Sequence, residues 1–260
     1  MPKSIDHIRV KIERAKEHIG DLNARIGIFN EAGPYSVIRE EDAQTGDIVF
    51  YVRIKSDIPL SFAAIIGDAV QNLRSSLDHL AYQLVLANSG TPTKRTAFPI
   101  AESPEKYEAL DPRKVEGMSE TAVKKIHALH PYRGGNDAIW MLDELNNIDK
   151  HRLLLAVGSA HTDVVLDYRD MFPNVREPML YSVQPSGASF LMRSFPLKDG
   201  AEIYRVLAAH REAYINQKPE FTFRITLGEP EIVKGEPIIP TLNQLASIVG
   251  KVVSMFEPLL

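Results

Sequence analysis

Asn72-Leu73-Arg74-Ser75-Ser76-Leu77-Asp78-His79-Leu80 lies inside a longer run, from Pro59 to Ser89, that decides what fold the chain can make. Ile66, Val70, Leu73, Leu77, Leu80 and Leu84 recur at steps of four and three, the spacing that lays one apolar stripe along an α-helix and demands a core for it. At about 100° per residue the other side gathers Asp68, Asn72, Ser75, Ser76, His79, Tyr82 and Gln83. Solvated helix faces are normally rich in Lys and Glu, yet only Asp68, Arg74 and Asp78 are charged in this run. The polar face is therefore expected to be covered, by another element or by a second subunit. Arg74 and His79 stand five positions apart, about 140° around the helix, so they flank a ridge rather than share a face.

Working outward, Ile5, Ile8, Ile12, Ala15, Ile19, Leu22, Ile26 and Phe29 keep the same alternation after Ser4. They predict a first long helix that packs antiparallel along the central one. Between the two helices, 35–39 and 47–54 read as the strands of a hairpin around Gln44-Thr45-Gly46. Pro59 suits a helix start, and Asn88-Ser89-Gly90 a helix end. Downstream, Ser103 and Ser119 open short helices. Lys124, Lys125, His127 and His130 gather near the end of the second, where the helix dipole favours cations. No carboxylate of matching spacing accompanies these histidines, so no metal site is expected. After the turn at Gly134-Gly135, Ile139, Leu142, Leu145, Ile148 and Leu153 form the apolar side of a helix. Its polar side is Asn146-Asn147-Ile148-Asp149-Lys150-His151-Arg152, with Asp143, Asn147 and His151 one turn apart on one face.

Beyond residue 158 the periodicity shortens to strand-like segments at 164–168, 179–183, 189–195, 221–227 and 232–233. The segment 201–216 has a helix-like composition, although Glu202-Ile203-Tyr204-Arg205-Val206 equally suits a strand. Pro240 opens a last apolar helix, 240–257. The expected fold class is α+β: a helical bundle over 1–158 with a hairpin inserted at about 35–56, then a β-rich region over 159–260 that carries the C-terminal helix.

The 260 residues contain no cysteine, which excludes a disulfide framework, thiolate catalysis and Cys-ligated zinc. The opening Met1-Pro2-Lys3-Ser4-Ile5-Asp6 leads to no apolar run, and nowhere do eighteen apolar residues follow one another. The expectation is a soluble, cytoplasmic protein without a membrane partner. A net charge of −4 argues against coating nucleic acid by bulk attraction, while leaving room for a local basic site. No Walker A or dinucleotide fingerprint is present, so no cofactor is expected.

The segment Leu73-Arg74-Ser75-Ser76-Leu77-Asp78-His79 resembles the R-x4-6-H motif of the HEPN superfamily, helical dimeric domains common in prokaryotic RNA-cutting toxins and defence proteins. The resemblance covers the helical half only. Where RNA-cutting members often carry Asn, Asp or His after the arginine, this chain has Ser75. The chain also resembles bacterial and phage proteins that join a Leu-Arg-x-x-Leu-Asp-His helix to an Asp-Lys-His-Arg segment, a likeness that implies no activity. What the HEPN resemblance implies is a metal-independent endoribonuclease with a composite site at a homodimer interface, in a toxin or phage-defence setting. His79 would exchange a proton with the ribose 2′-hydroxyl or the leaving 5′-oxygen, and Arg74 would hold the scissile phosphate. Asn72, Ser75, Asp78, Asn147, Lys150, His151 and Arg152 would contact the RNA. The alternative is a non-catalytic dimeric binding module for a nucleotide, nucleic acid or protein partner, with Arg74 and Asp78 as an ordinary i,i+4 ion pair.

Overall fold

The three-four alternation at the start of the chain produces one uninterrupted helix, α1 (Ser4–Glu31), with Ile5, Ile8, Ile12, Ala15, Ile19 and Leu22 buried along one side. A computed structural model describes residues 4–164, 188–189, 196–210, 219–233 and 235–260. The expected strands 179–183, and most of 164–168 and 189–195, lie outside the described residues, as does the end of the 201–216 segment. Strands β1 (Tyr35–Glu41) and β2 (Ile48–Ile54) make the hairpin, and α2 (Ser61–Ala87) is the central helix. Then come α3 (Pro104–Glu108), α4 (Glu120–Ala128) and α5 (Asp137–Asp149). Strands β3 (Ala156–Val164), β4 (Ala188–Ser189), β5 (Glu202–Val206) and β6 (Pro219–Leu227) follow, and α6 (Pro230–Val233) and α7 (Ile238–Phe256) complete the order. The fold is α+β, with long helices, antiparallel sheets and a C-terminal helix.

Residues group into two compact units that interleave in sequence. The helical unit holds the described residues of Met1–Arg25, Pro59–Leu155 and Glu229–Leu260; the β unit holds those of Ile26–Ile58 and Ala156–Gly228. This corrects the expected division at residue 158. The hairpin belongs with the later strands, because β2 pairs with β5 from Ile48↔Val206 to Phe50↔Tyr204. The C-terminal helix belongs with the bundle, because α7 packs on α2 and α5.

In the helical unit, α2 buries Ile66, Val70, Leu73, Leu77, Leu80 and Leu84, as its stripe requires. Its partners include α5, through Ile139, Leu142 and Leu145, and α7, through Leu242, Leu245, Val249, Val252, Val253 and Phe256. Leu153, expected on the inner side, is exposed, and Leu154 is buried instead. The segment Ile238–Leu259 is long and apolar enough by composition to cross a membrane, but Leu242, Leu245, Val249, Val252, Val253 and Phe256 sit in this core. Along α1 one neighbour is α7, a pairing that the sequence pattern did not indicate. Arg9 Nη2 donates to Glu257 Oε2 at 2.9 Å, and an open cleft of about 490 Å³ runs between Arg9, Glu13 and Lys16 on one side and Ser247, Lys251 and Ser254 on the other. The order of these pairs makes α1 and α7 antiparallel.

In the β unit a four-stranded sheet runs β1-β2-β5-β4, and β3 pairs with β6 in a second. Ile48, Phe50, Val52, Leu197, Ile203, Tyr204 and Val206 form its core, with Tyr35, Val37, Phe221 and Phe223 packed on it. Phe50 lies 5.6 Å from Tyr204 and 5.5 Å from Phe221, and Tyr35 lies 4.8 Å from Phe223, distances at which tilted rings attract. Arg205 gathers three carboxylates: Glu202 at 2.6 Å, Asp47 at 3.1 Å and Asp42 at 3.2 Å. The run Ile232-Val233 is not a strand. Pro230 starts a helical turn there, in which Ile232 and Val233 donate to the Glu229 carbonyl at 3.0 and 2.9 Å.

Leu77→Ala removes a fully buried side chain from the α2 stripe and is expected to cost about 2–5 kcal/mol, while Val10→Ala, on an exposed face of α1, stays within about 0.5 kcal/mol. Urea denaturation followed by circular dichroism compares the two.

Candidate functional site

Arg74 projects from the edge of the α2 stripe and is only 9% exposed. A buried guanidinium must have partners for its donors, and each of its nitrogens has one. Nε donates to Asp143 Oδ1 at 2.6 Å, Nη1 to Asp78 Oδ1 at 2.6 Å and Nη2 to the Phe98 carbonyl at 3.3 Å. Asp78 Oδ1 also accepts the Phe98 amide at 3.0 Å. One side chain thereby ties α2 to α5 and to the extended segment at Phe98-Pro99-Ile100, which is pinned further by Ala101 N–H donating to the Pro131 carbonyl at 3.1 Å. Burial works against the charge of Arg74, but Asp78 and Asp143 outweigh it and hold the group above its ordinary value. The cation is permanent and committed to the protein. This differs from the expectation that Arg74 presents its fork to a phosphate.

His79 is exposed, as are Asp68 and Tyr82 on the same side of α2; Asn72, Ser75 and Gln83 are half-buried. The polar face expected to be covered is thus left open by this chain, apart from Ser76, whose hydroxyl donates to the Leu73 carbonyl at 2.7 Å. Asn72 Nδ2 likewise donates to its own helix, at the Asp68 carbonyl, 2.8 Å away. The 140° divergence of Arg74 and His79 is real: one points into the core and the other to solvent.

The second polar group divides. Asn147 joins the Arg74 network, donating to Asp143 Oδ2 at 3.3 Å. Lys150 reaches Asn147 Oδ1 at 3.5 Å, and His151 is exposed. Arg152 is not placed with them. It makes a two-pronged pair with the buried Glu229, at 2.6 and 2.8 Å, that fastens the end of α5 to the start of α6.

Sequence reasoning missed the other end of the α2–α5 seam. The two helices run antiparallel, Arg74 opposite Asp143 and Gly67 opposite Asp149. A β-carbon on Gly67 would lie 2.6 Å from Asp149 Oδ2 and 2.7 Å from its Cγ, so the carboxylate rests directly on the α2 backbone. Burial raises the Asp149 carboxyl above the usual range, and the neighbouring Asp68 raises it further. Among the described residues no donor reaches Asp149, and none reaches the side chain of Asn146, which is only 5% exposed. The signal for this seat was Gly67 itself, since a glycine inside a helix costs about 1 kcal/mol against alanine and needs a packing reason. No cluster of three or more His, Asp or Glu side chains converges among the described residues.

No family model matches this chain, and neither a curated protein nor a solved structure matches it.

Arg74→Ala leaves the half-buried carboxylates of Asp78 and Asp143 without their cation, and is expected to cost about 3–5 kcal/mol; His79→Ala, on the exposed face, stays within about 0.5 kcal/mol. Urea midpoints of the two variants make the comparison. A pH series tests Asp149. Its carboxyl is raised in the folded state, so the folded chain binds the proton more readily than the unfolded one. Stability from this group is greatest in acid and is lost as pH rises through the folded value. Asp149→Asn is therefore expected to match wild type in acid and to melt higher at neutral pH.

Proposed function

We propose that this chain is a homodimeric, non-catalytic binding module, in which Arg74 is a structural tie and the outward side of α2 receives a second copy. The observation that carries the proposal is the state of Arg74: nine-tenths buried, with each nitrogen bonded inside its own subunit. A phosphate would have to displace two carboxylates to reach it. The face left over is short of charge and carries large apolar groups, with Tyr82 and Leu86 exposed beside His79 and Gln71. Such a surface suits a helix-to-helix contact between like copies, in which the same patch serves both subunits and each contact occurs twice. The dimers implied by the HEPN resemblance support the same arrangement. The module's partner belongs to the class of nucleotides, nucleic acids or proteins.

One observation favours the ribonuclease reading: the His79 ring is open to solvent and has no hydrogen bond among the described residues. Light scattering and an RNA-cleavage assay in EDTA separate the two. The expected result is a dimer that Tyr82→Glu converts to a folded monomer, and no cleavage above the level of His79→Ala. Cleavage that survives EDTA and vanishes in His79→Ala returns the catalytic reading; a monomeric wild type at tens of micromolar removes the dimer.

A further inference from the structure

Helix α5 presents Asp143, Asn146 and Asp149 at successive steps of three, each turned about 60° from the last, so Asn146 stands between the other two. Both outer residues are fixed on α2, Asp143 at Arg74 and Asp149 at Gly67. Asn146 is therefore directed into the same seam, at a level between them. The upper end is neutralised by the guanidinium. The lower end is not. Asp149 is half-buried beside Asp68, neither carboxylate accepts a side-chain hydrogen bond among the described residues, and Asn146, only 5% exposed, makes no side-chain hydrogen bond there either. Two like charges at close quarters disfavour each other. The half-buried carboxylates of Asp42, Asp78, Asp111, Asp143 and Glu202 each have a bonded cation, whereas this pair has none, the form it takes when something positive completes it.

We propose that the Gly67-Asp68/Asn146-Asp149 end of the α2–α5 seam binds a hard divalent cation of the Mg²⁺ or Ca²⁺ class, with the carboxylates of Asp68 and Asp149 and the Asn146 side-chain oxygen as its protein ligands. Oxygen-only donors select these ions over zinc or copper. Two carboxylates and an amide leave room for several waters, as Mg²⁺ prefers, and those positions are where phosphate oxygens enter in sites of this kind. Lys150 and His151, exposed at the same end of α5, would stand beside an anion so held. Gly67 acts as the positioning residue: without its missing β-carbon Asp149 could not sit at the seam. The site lies seven residues from Arg74 along α2, about 10 Å at 1.5 Å per residue, and it does not depend on the dimer.

Titration calorimetry of the full chain with MgCl2 and with CaCl2 tests the site, alongside Mn²⁺ binding followed by electron paramagnetic resonance. Expected is one saturable site per chain that Asp149→Asn and Asp68→Asn each weaken at least about tenfold, with Gly67→Ala weakening it as well and Glu13→Gln, on α1, leaving it unchanged. Melting in EDTA guards against misfolding: Asp149→Asn is expected to melt no lower than wild type, and Asp68, being exposed, can be replaced without disturbing the core. No saturable binding by wild type up to about 10 mM, beyond the weakest range of natural calcium sites, overturns the proposal. Binding that survives in both aspartate variants overturns it equally.

Discussion

A guanidinium withdrawn from water at Arg74 constrains the helical unit more than any single apolar contact. Hydrophobic packing is tolerant of small slides between helices, because many arrangements of Leu, Ile and Val bury similar areas. A buried ion is not tolerant, since each donor must meet an acceptor at the right distance and angle or the desolvation cost stands uncompensated. Asp143, Asp78 and the Phe98 carbonyl satisfy Arg74 in one arrangement, and that arrangement fixes the axial register of α5 against α2. Gly67 then falls opposite Asp149 as a consequence, six residues along α5 from Asp143. The net stability such a network adds over an apolar substitute is small; its effect is to choose among packings.

The β unit uses the same device at its surface. Arg205 holds Glu202, Asp47 and Asp42 together, and Asp47 in turn accepts the Ala208 amide at 2.9 Å. The hairpin turn after β1 is thereby fastened to β5, a strand more than a hundred and fifty residues later. The aromatic cluster of Phe50, Tyr204 and Phe221 supplies the apolar area beneath, and Gly158 gives Tyr35 room, since a β-carbon there would meet the ring oxygen at 2.8 Å.

What the sequence made legible was local, and what it concealed was partnership. The stripes of α1, α2, α5 and α7 follow from spacing alone, because each residue's side of a helix is set by its own position. The hairpin was legible for the same reason, its two strands being joined by a short turn. Spacing says nothing about which stripe meets which, so the contact of α1 with α7 and the return of α7 to the bundle were not in view. Nor was Asp143 as the partner of Arg74, sixty-nine residues away. The angle between Arg74 and His79 was computable, but which of the two faced the core was not: both choices leave the apolar stripe intact. The low charge of α2 was read as a sign of burial, whereas Tyr82 and Leu86 stand open in the single chain. The exposed face needs a partner only if one exists.

The distribution of charge partners carries the argument one step further. Asp42, Asp47 and Asp199 are each held below the usual carboxylate range, with backbone amides as the leading cause and an arginine assisting. Among the described residues two carboxyls are displaced the other way by burial. For Glu144, with Asp143 and Glu102 nearby, Lys106 and Arg133 offset part of the effect. For Asp149 no offsetting charge stands among the described residues, and the neighbouring Asp68 adds to the effect. Folding could remove this penalty with an asparagine at the same position, at no loss of shape. Under the proposed cation site the carboxylate has a use that an isosteric amide would lack, and Gly67, which gives up helix stability to seat it, shares that cost.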